Sequence, residues 1–360
     1  MTSADWTAPG AAAPRDWRAA QLEAAITSAV DELPAGLADA CRRVIKAGGK
    51  RLRPELVIRC ADVGPNGSEG AIDAAAAVEL LHSASLVHDD LLDDADTRRG
   101  VAAIHRREGM PAAVIAGDAL IALSWRVIAG CGGASAVDLG AALIAMCDGQ
   151  NQEDALRFRA DGTRSDVVRV ATLKTGALLE SACRIGARLG GCTDLQVQAL
   201  GVFGRELGVQ LQILDDVLDV VCDEETLGKP TASDFSAGIL TLPTVFALAA
   251  GHGPASRLRS LFAAGMSATA ADEAGAIVLA SGAVAQTVGV AREHAQRAAL
   301  AAAAAGATDL ISLPEHYFEH QLRKVPAACL VPSAAAPPVG LREHMRVSLS
   351  TERWGTERAG

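Results

Sequence analysis

Two aspartate clusters, Asp89-Asp90-Leu91-Leu92-Asp93 and Asp215-Asp216-Val217-Leu218-Asp219, repeat one DDxxD spacing inside otherwise apolar stretches. At about 3.6 residues per turn the first and last carboxylates of each cluster stand one helical turn apart, so Asp89 and Asp93 share a face, as do Asp215 and Asp219. Like charges in that arrangement destabilise a helix by a few tenths of a kcal/mol, and the neighbours Leu86, Val87, Leu91, Leu92, Leu214 and Leu218 add a desolvation cost. A cation must offset both, and hard oxygen donors suit Mg2+. One DDxxD alone reads equally well as a solvated acidic face; two copies in matching apolar settings favour a metal. A calcium loop needs alternating oxygen ligands, a central Gly and a Glu at its twelfth position, and neither cluster has them.

Basic residues accompany the carboxylates. Gly48-Gly49-Lys50-Arg51-Leu52-Arg53-Pro54 sets three cations after a flexible glycine pair, and Lys50 and Arg53, three positions apart, could clasp one anion or cap a helix. Arg98-Arg99-Gly100 follows the first cluster; its arginines point in different directions, serving two anions or neutralising the run Asp93, Asp94, Asp96. Lys174 and Lys229 are lone cations in apolar context, either ligands or snorkelling surface lysines. His82 lies two turns before Asp89, and Gln150 and Gln212 are amides in apolar segments. Paired carboxylates with dispersed Lys and Arg are the inventory for a diphosphate held through bridging Mg2+. No P-loop and no Ser-His or Cys-His nucleophile pattern competes with it.

The elements that must position these groups are helices. The chain has 360 residues, 50% of them hydrophobic and 21% charged, with only 3% aromatics and abundant Ala and Leu, which predicts an all-α protein. Long apolar helices are expected over 71–93, 115–129, 167–189 and 195–221, ten or more helices in total and no hairpin. Residues 1–15 read as a disordered arm, 16–325 as one domain, and 326–360 as a C-terminal extension with one short helix near 341–349. The Ala-rich stretch 298–305 reads as a helix packed at close range. A net charge of −10 argues against nucleic-acid binding. No transmembrane run is expected, and Cys41, Cys60, Cys131, Cys147, Cys183, Cys192, Cys222 and Cys329 read as small buried hydrophobes of a cytoplasmic protein.

With these motifs in order, GGKRLRP at 48–54, HDDLLDDADTRRG at 88–100, GD at 117–118, KTG at 174–176, LQILDDVLD at 211–219 and LGKP at 227–230, the chain resembles the trans-isoprenyl diphosphate synthases over residues 17–325, most of all those making geranylgeranyl diphosphate. The resemblance implies the class I isoprenoid synthase fold, a single large helical bundle around a central cavity, working as a homodimer. It implies three Mg2+ ions on an allylic diphosphate (dimethylallyl, geranyl or farnesyl), held directly by Asp89, Asp93 and Asp215 and supported by Asp90, Asp216 and Asp219. Arg98, Lys174 and Lys229 would touch that diphosphate, with Thr175 and Gln212 beside them. Lys50, Arg53, His82 and Arg99 would hold isopentenyl diphosphate. Two positions depart from the family pattern: Leu211 stands where Phe is usual, and Ile239 where a Lys is usual. Small residues at Ala84 and Ser85, before the first motif, imply a product of twenty carbons, with a longer polyprenyl diphosphate as the alternative. A terpene cyclase would need no isopentenyl site, and a non-catalytic partner subunit would not need both motifs intact.

Overall fold

The computed structural model describes residues 16–222, 233–250, 253–264 and 267–331, and these are almost wholly helical. The N-terminal arm, Lys229 and the segment 341–349 lie outside the described residues. The first half of the chain forms α1 (Asp16–Asp31), α2 (Ala35–Lys46), α3 (Leu52–Ala61), α4 (Ile72–Leu92), α5 (Ile104–Glu108), α6 (Met110–Ala129) and α7 (Gly133–Leu156). Next come α8 (Arg164–Ala171), α9 (Ala177–Leu189) and α10 (Asp194–Val221), then shorter helices around a long one, Ala283–Ala304. A π-helical turn, Thr172–Gly176, joins α8 to α9.

Local chemistry sets the ends of the two helices that matter most. α10 begins at Asp194 because Thr193 and Gln196 form a capping box, the Gln196 N–H donating to Thr193 Oγ1 at 3.4 Å and the Thr193 N–H to Gln196 Oε1 at 3.0 Å. α4 stops at Leu92 because Asp94 turns left-handed, φ 51°, and the Ala95 N–H reaches back to the Asp90 carbonyl at 2.9 Å, a Schellman closure. Asp93 is therefore the C-cap, with its N–H still bonded to the Asp89 carbonyl at 2.8 Å. The one-turn stacking of Asp89 and Asp93 survives at the very end of the helix.

Two apolar cores carry the motifs. In one, α4 packs along α6 through Leu80, Leu81, Ala84, Ala113, Ala116 and Leu120; in the other, α10 packs on α9 and on Ala283–Ala304 through Phe203, Leu207, Leu214, Ala291 and Ala298. α3 and α9 serve both, since Leu56, Cys60, Leu179 and Cys183 face the α10 core while Val57, Ile58, Leu178 and Ala182 face the α4 core. Their approach requires a missing side chain: a Cβ on Gly186 would lie 2.1 Å from the Val57 carbonyl oxygen. Ala298 and Ala302 are fully buried, so the alanine-rich helix packs closely as its composition predicts.

Three expectations need correction. A two-residue antiparallel ladder, Thr97–Arg98 against Val101–Ala102, follows α4; Arg99 and Gly100 both have positive φ, as a tight hairpin turn requires, and Arg-Gly is a weak signal for one. Cys147 is exposed, whereas Cys41, Cys60 and Cys183 are buried; all eight thiols are free. Finally, α4 and α6 do reach the length and apolarity of membrane spans, because alanines extend their apolar windows; 67% of the α4 window is nonetheless buried inside the protein.

Candidate active site

Asp89 occupies the last turn of α4. Burial lifts its carboxyl to about 6; Lys174 pulls it back, Asp93 pushes it further up, and Arg98 and Glu153 act in turn in the same opposed senses. Asp90 is buried and turned to the other side, where Arg98 donates to it through Nε at 2.6 Å and Nη2 at 2.5 Å; burial still holds its pKa up. Arg98 is thus committed to the motif's own second aspartate. The acidic run beyond it is neutralised by Arg106, which reaches Asp94 at 2.9 Å and Asp96 at 2.8 Å, and not by the arginine pair. Asp93 is exposed and meets Arg157 from the end of α7 at 3.2 Å. Lys174 rides the π-helical turn, an irregularity common at functional sites, and donates to Glu153 of α7 at 2.6 Å.

In the second motif Asp215 faces outward, while Asp216 and Asp219 are buried. Thr175 Oγ1 donates to Gln212 Oε1 at 2.7 Å, and Gln212 Nε2 donates to Asp216 at 2.9 Å, so the amide links the π turn to α10. The two elements touch because Gly208 lacks a Cβ, which would sit 2.7 Å from the Gly176 Cα. Burial raises Asp216 well above the usual carboxylate range and Asp234 adds to it, with Gln212 opposing. Asp219 accepts the Asp234 N–H at 3.3 Å. Burial holds the Tyr317 hydroxyl well above its ordinary pKa, with Asp215 adding to the shift and Gln321 opposing it, and its ring centroid lies 6.0 Å from Lys50 Nζ.

Asp89 sits in surroundings that penalise bare negative charge, while Asp93 and Asp215 are exposed carboxylates of the same two motifs. Among the described residues no three His, Cys, Asp or Glu side chains converge into a closed metal cage. Such a set fits Mg2+, which keeps waters and takes phosphate oxygens beside one or two carboxylates.

The basic motif folds differently from its spacing. Gly48 at φ 84° and Arg51 at φ 47° delay the start of α3 to Leu52, so Lys50 precedes the helix and does not stack over Arg53. Arg51 anchors the segment, bonded to Glu79 at 2.6 Å, Glu23 at 2.8 Å and the Ile45 carbonyl at 3.1 Å. Arg53 donates from Nη1 to His82 Nε2 at 3.2 Å, while its buried Nε has no hydrogen-bond partner among the described residues. Arg99 lies over Gly49, where a Cβ would come within 2.7 Å of its guanidinium. Burial holds His82 well below its ordinary pKa, and Arg53, Arg99, Arg51 and Arg98 deepen the shift. Burial also lowers Arg53, countered by Glu79, lowered again by Arg99, and countered by Asp215 and Asp89. One cation cluster thus borders carboxylates of both motifs.

Residues 34–277, more than half the chain, match the family model described as Polyprenyl synthetase. The chain belongs to the polyprenyl synthetase family. It is 38% identical over 223 residues to a short chain isoprenyl diphosphate synthase of Methanothermobacter thermautotrophicus, covering 61% of this chain and 69% of that one. It is 35% identical over 243 residues to a geranylgeranyl diphosphate synthase of Methanosarcina mazei, covering 63% and 73%. Among solved structures, a polyprenyl synthase from Caulobacter crescentus, complexed with calcium and isoprenyl diphosphate, superposes with a TM-score of 0.80 at 26% identity over 84% of this chain and 95% of that one.

In this polyprenyl synthetase the GD pair also finds a reason: a Cβ on Gly117 would lie 2.1 Å from His88 Nε2, so the glycine makes room for the imidazole beside Asp89. Glu153, Arg157 and Tyr317 went unnoticed in the sequence. Glu153 stands three residues after Gln150 on α7, a usable signal; Arg157 and the chain's one tyrosine are near the motifs only in space.

Proposed function

We propose that this chain condenses isopentenyl diphosphate with an allylic diphosphate, releasing diphosphate and forming an all-trans prenyl diphosphate, with geranylgeranyl diphosphate as the main product. The observation that carries this reading is Arg53, half-buried with a buried, unpartnered Nε in a cation cluster that adjoins both aspartate motifs. Two adjoining anion sites are what a condensation of two diphosphates needs. The relatives' names and the shared fold support it.

Asp89, Asp93 and Asp215 would hold Mg2+, three ions per site, and such ions when bound stabilise the charge developing on the departing diphosphate. Lys174, steered by Glu153, presents its ammonium beside Asp89 to the allylic diphosphate. Thr175 and Gln212 fix Asp216 behind Asp215. Lys50, Arg53 and Arg99 bind isopentenyl diphosphate, and neutral His82 orients the Arg53 guanidinium. The apolar faces of α4 and α10 exclude water from the allylic carbocation while the isopentenyl double bond attacks it. The proton then lost passes to the released diphosphate. Ile115 of α6 and Val137 and Ile144 of α7, at 55%, 71% and 73% exposure, are the apolar side chains expected to meet a second copy in a homodimer.

The test is incubation with farnesyl and isopentenyl diphosphates plus Mg2+, followed by chromatography of the dephosphorylated products. A twenty-carbon alcohol is expected. Unconsumed isopentenyl diphosphate overturns the activity, and a longer main product moves the chain to the longer polyprenyl synthases.

A further inference from the structure

We propose that Arg157 is a positioning residue for the first aspartate motif: it neutralises Asp93 in the metal-free chain and yields that carboxylate to an arriving divalent cation. The inference rests on the reading that Asp93 takes part in holding Mg2+. Arg157 Nη2 lies 3.2 Å from Asp93 Oδ1 across 64 residues of sequence, and its Nε donates to Asp154 at 3.0 Å. A guanidinium and a metal ion compete for the same oxygens, because each satisfies a carboxylate's need for positive charge. Arg157 need not leave for solvent when it loses Asp93. Asp154 still holds it, and Gln150 steadies Asp154 at 3.1 Å.

Arg157 is placed by a strained joint. α7 ends at Leu156, Arg157 turns extended at ψ 134°, and Phe158 then adopts φ 58°, a conformation that an aromatic residue keeps only when its surroundings impose it. The imposing contacts are visible. The Phe158 N–H donates to the Gly238 carbonyl at 2.8 Å, and the phenyl ring fills the place of a Gly238 side chain, 2.4 Å from where its Cβ would be. The same short segment supplies the Asp234 N–H to Asp219, so the turn that aims Arg157 at the first motif is clasped to the backbone that caps the second. The Phe158–Gly238 contact lies beyond the ends of the helices it joins, so helix packing alone does not set it. Aiming Arg157 is what the clasp accomplishes. The occupancy of Asp93 by metal is then set partly by a competitor that the chain itself provides.

The experiment follows thermal unfolding of the full chain during Mg2+ titration in the presence of inorganic pyrophosphate, and reads the Mg2+ concentration at half-maximal shift. Arg157→Gln should lower that concentration by roughly 2- to 5-fold, the range corresponding to a partly exposed ion pair. Arg157→Lys, which keeps the charge, should stay near the wild-type value. Asp154→Asn, which removes the alternative seat and leaves Arg157 more firmly on Asp93, should raise it; this variant keeps the inference testable if Arg157→Gln does not fold. An unchanged or raised value for Arg157→Gln, or an unchanged value for Asp154→Asn, overturns the competition. Asp93→Asn separates the two levels: loss or weakening of the Mg2+ shift there upholds the metal reading whatever Arg157 does, and an unaltered shift removes both.

Discussion

Ala84 and Ser85 stand one turn before Asp89 on α4, and they face different things. Ser85 shares the Asp89 face, is partly exposed, and uses its hydroxyl on the His82 carbonyl at 2.9 Å. Ala84 is fully buried in the core between α4 and α6. A prenyl tail growing along α4 from a diphosphate at Asp89 passes Ser85 first, so Ser85→Phe should shorten the product by one or more five-carbon units. Ala84→Phe should also shorten it, with an added overpacking cost of about 1–3 kcal/mol from the filled core. Product chromatography beside a melting curve checks both variants; an unchanged product from both would show that neither forms the floor. The site's polar residues teach a related lesson. Arg98 and Gln212 act on Asp90 and Asp216, and so contribute by fixing the carboxylates that stand behind those facing the ligand.

Between elements, the contact of α10 with Ala283–Ala304 contains a charge cluster distant from the motifs. Glu206 accepts from His294 Nδ1 and from Arg297 Nε, each at 2.8 Å, with Arg205 at 3.6 Å. Burial pushes Glu206 upward, but the bonds from His294 and Arg297 outweigh it and bring the carboxyl down from 4.5 to about 2. A carboxyl lower in the folded than in the unfolded chain stabilises the fold above its unfolded pKa and loses that contribution as pH falls through its folded value. Glu206→Gln should therefore cost on the order of 2 kcal/mol near neutral pH, discounted for partial solvent access. The gap between wild type and variant should close as pH drops from 4.5 toward 2. Denaturant melts at several pH values measure it, and a gap that does not vary with pH contradicts the assignment.

At the scale of the molecule, α6 exposes Met110, Val114 and Ile115, and α7 exposes Val137 and Ile144. An apolar group of this size on an otherwise acidic protein suits a second copy of the same surface. Sedimentation should find the wild type dimeric and Ile144→Glu shifted toward monomer, with helical circular dichroism retained. A monomeric wild type would refute that use of the surface. Because α7 also delivers Glu153 and Arg157 to the first motif, loss of the dimer should weaken activity more than stability.

The sequence by itself determined the all-α class and the extents of the two helices that carry the aspartate motifs. Expected spans of 71–93 and 195–221 became Ile72–Leu92 and Asp194–Val221, because apolar periodicity, a capping box and a Schellman turn act within a few residues. Only the tertiary structure decided which charge meets which. Spacing set Lys50 and Arg53 on one helix, but positive φ at Gly48 and Arg51 moved the helix start to Leu52, so Lys50 precedes the helix that carries Arg53. Arg157 reaches Asp93, Tyr317 reaches Asp215 and Glu153 reaches Lys174 across long stretches of chain. Coulomb and hydrogen-bond energies depend on distances of a few ångströms and on burial. Those are set where α3, α4, α7 and α10 pack together, and no local pattern of residues contains them.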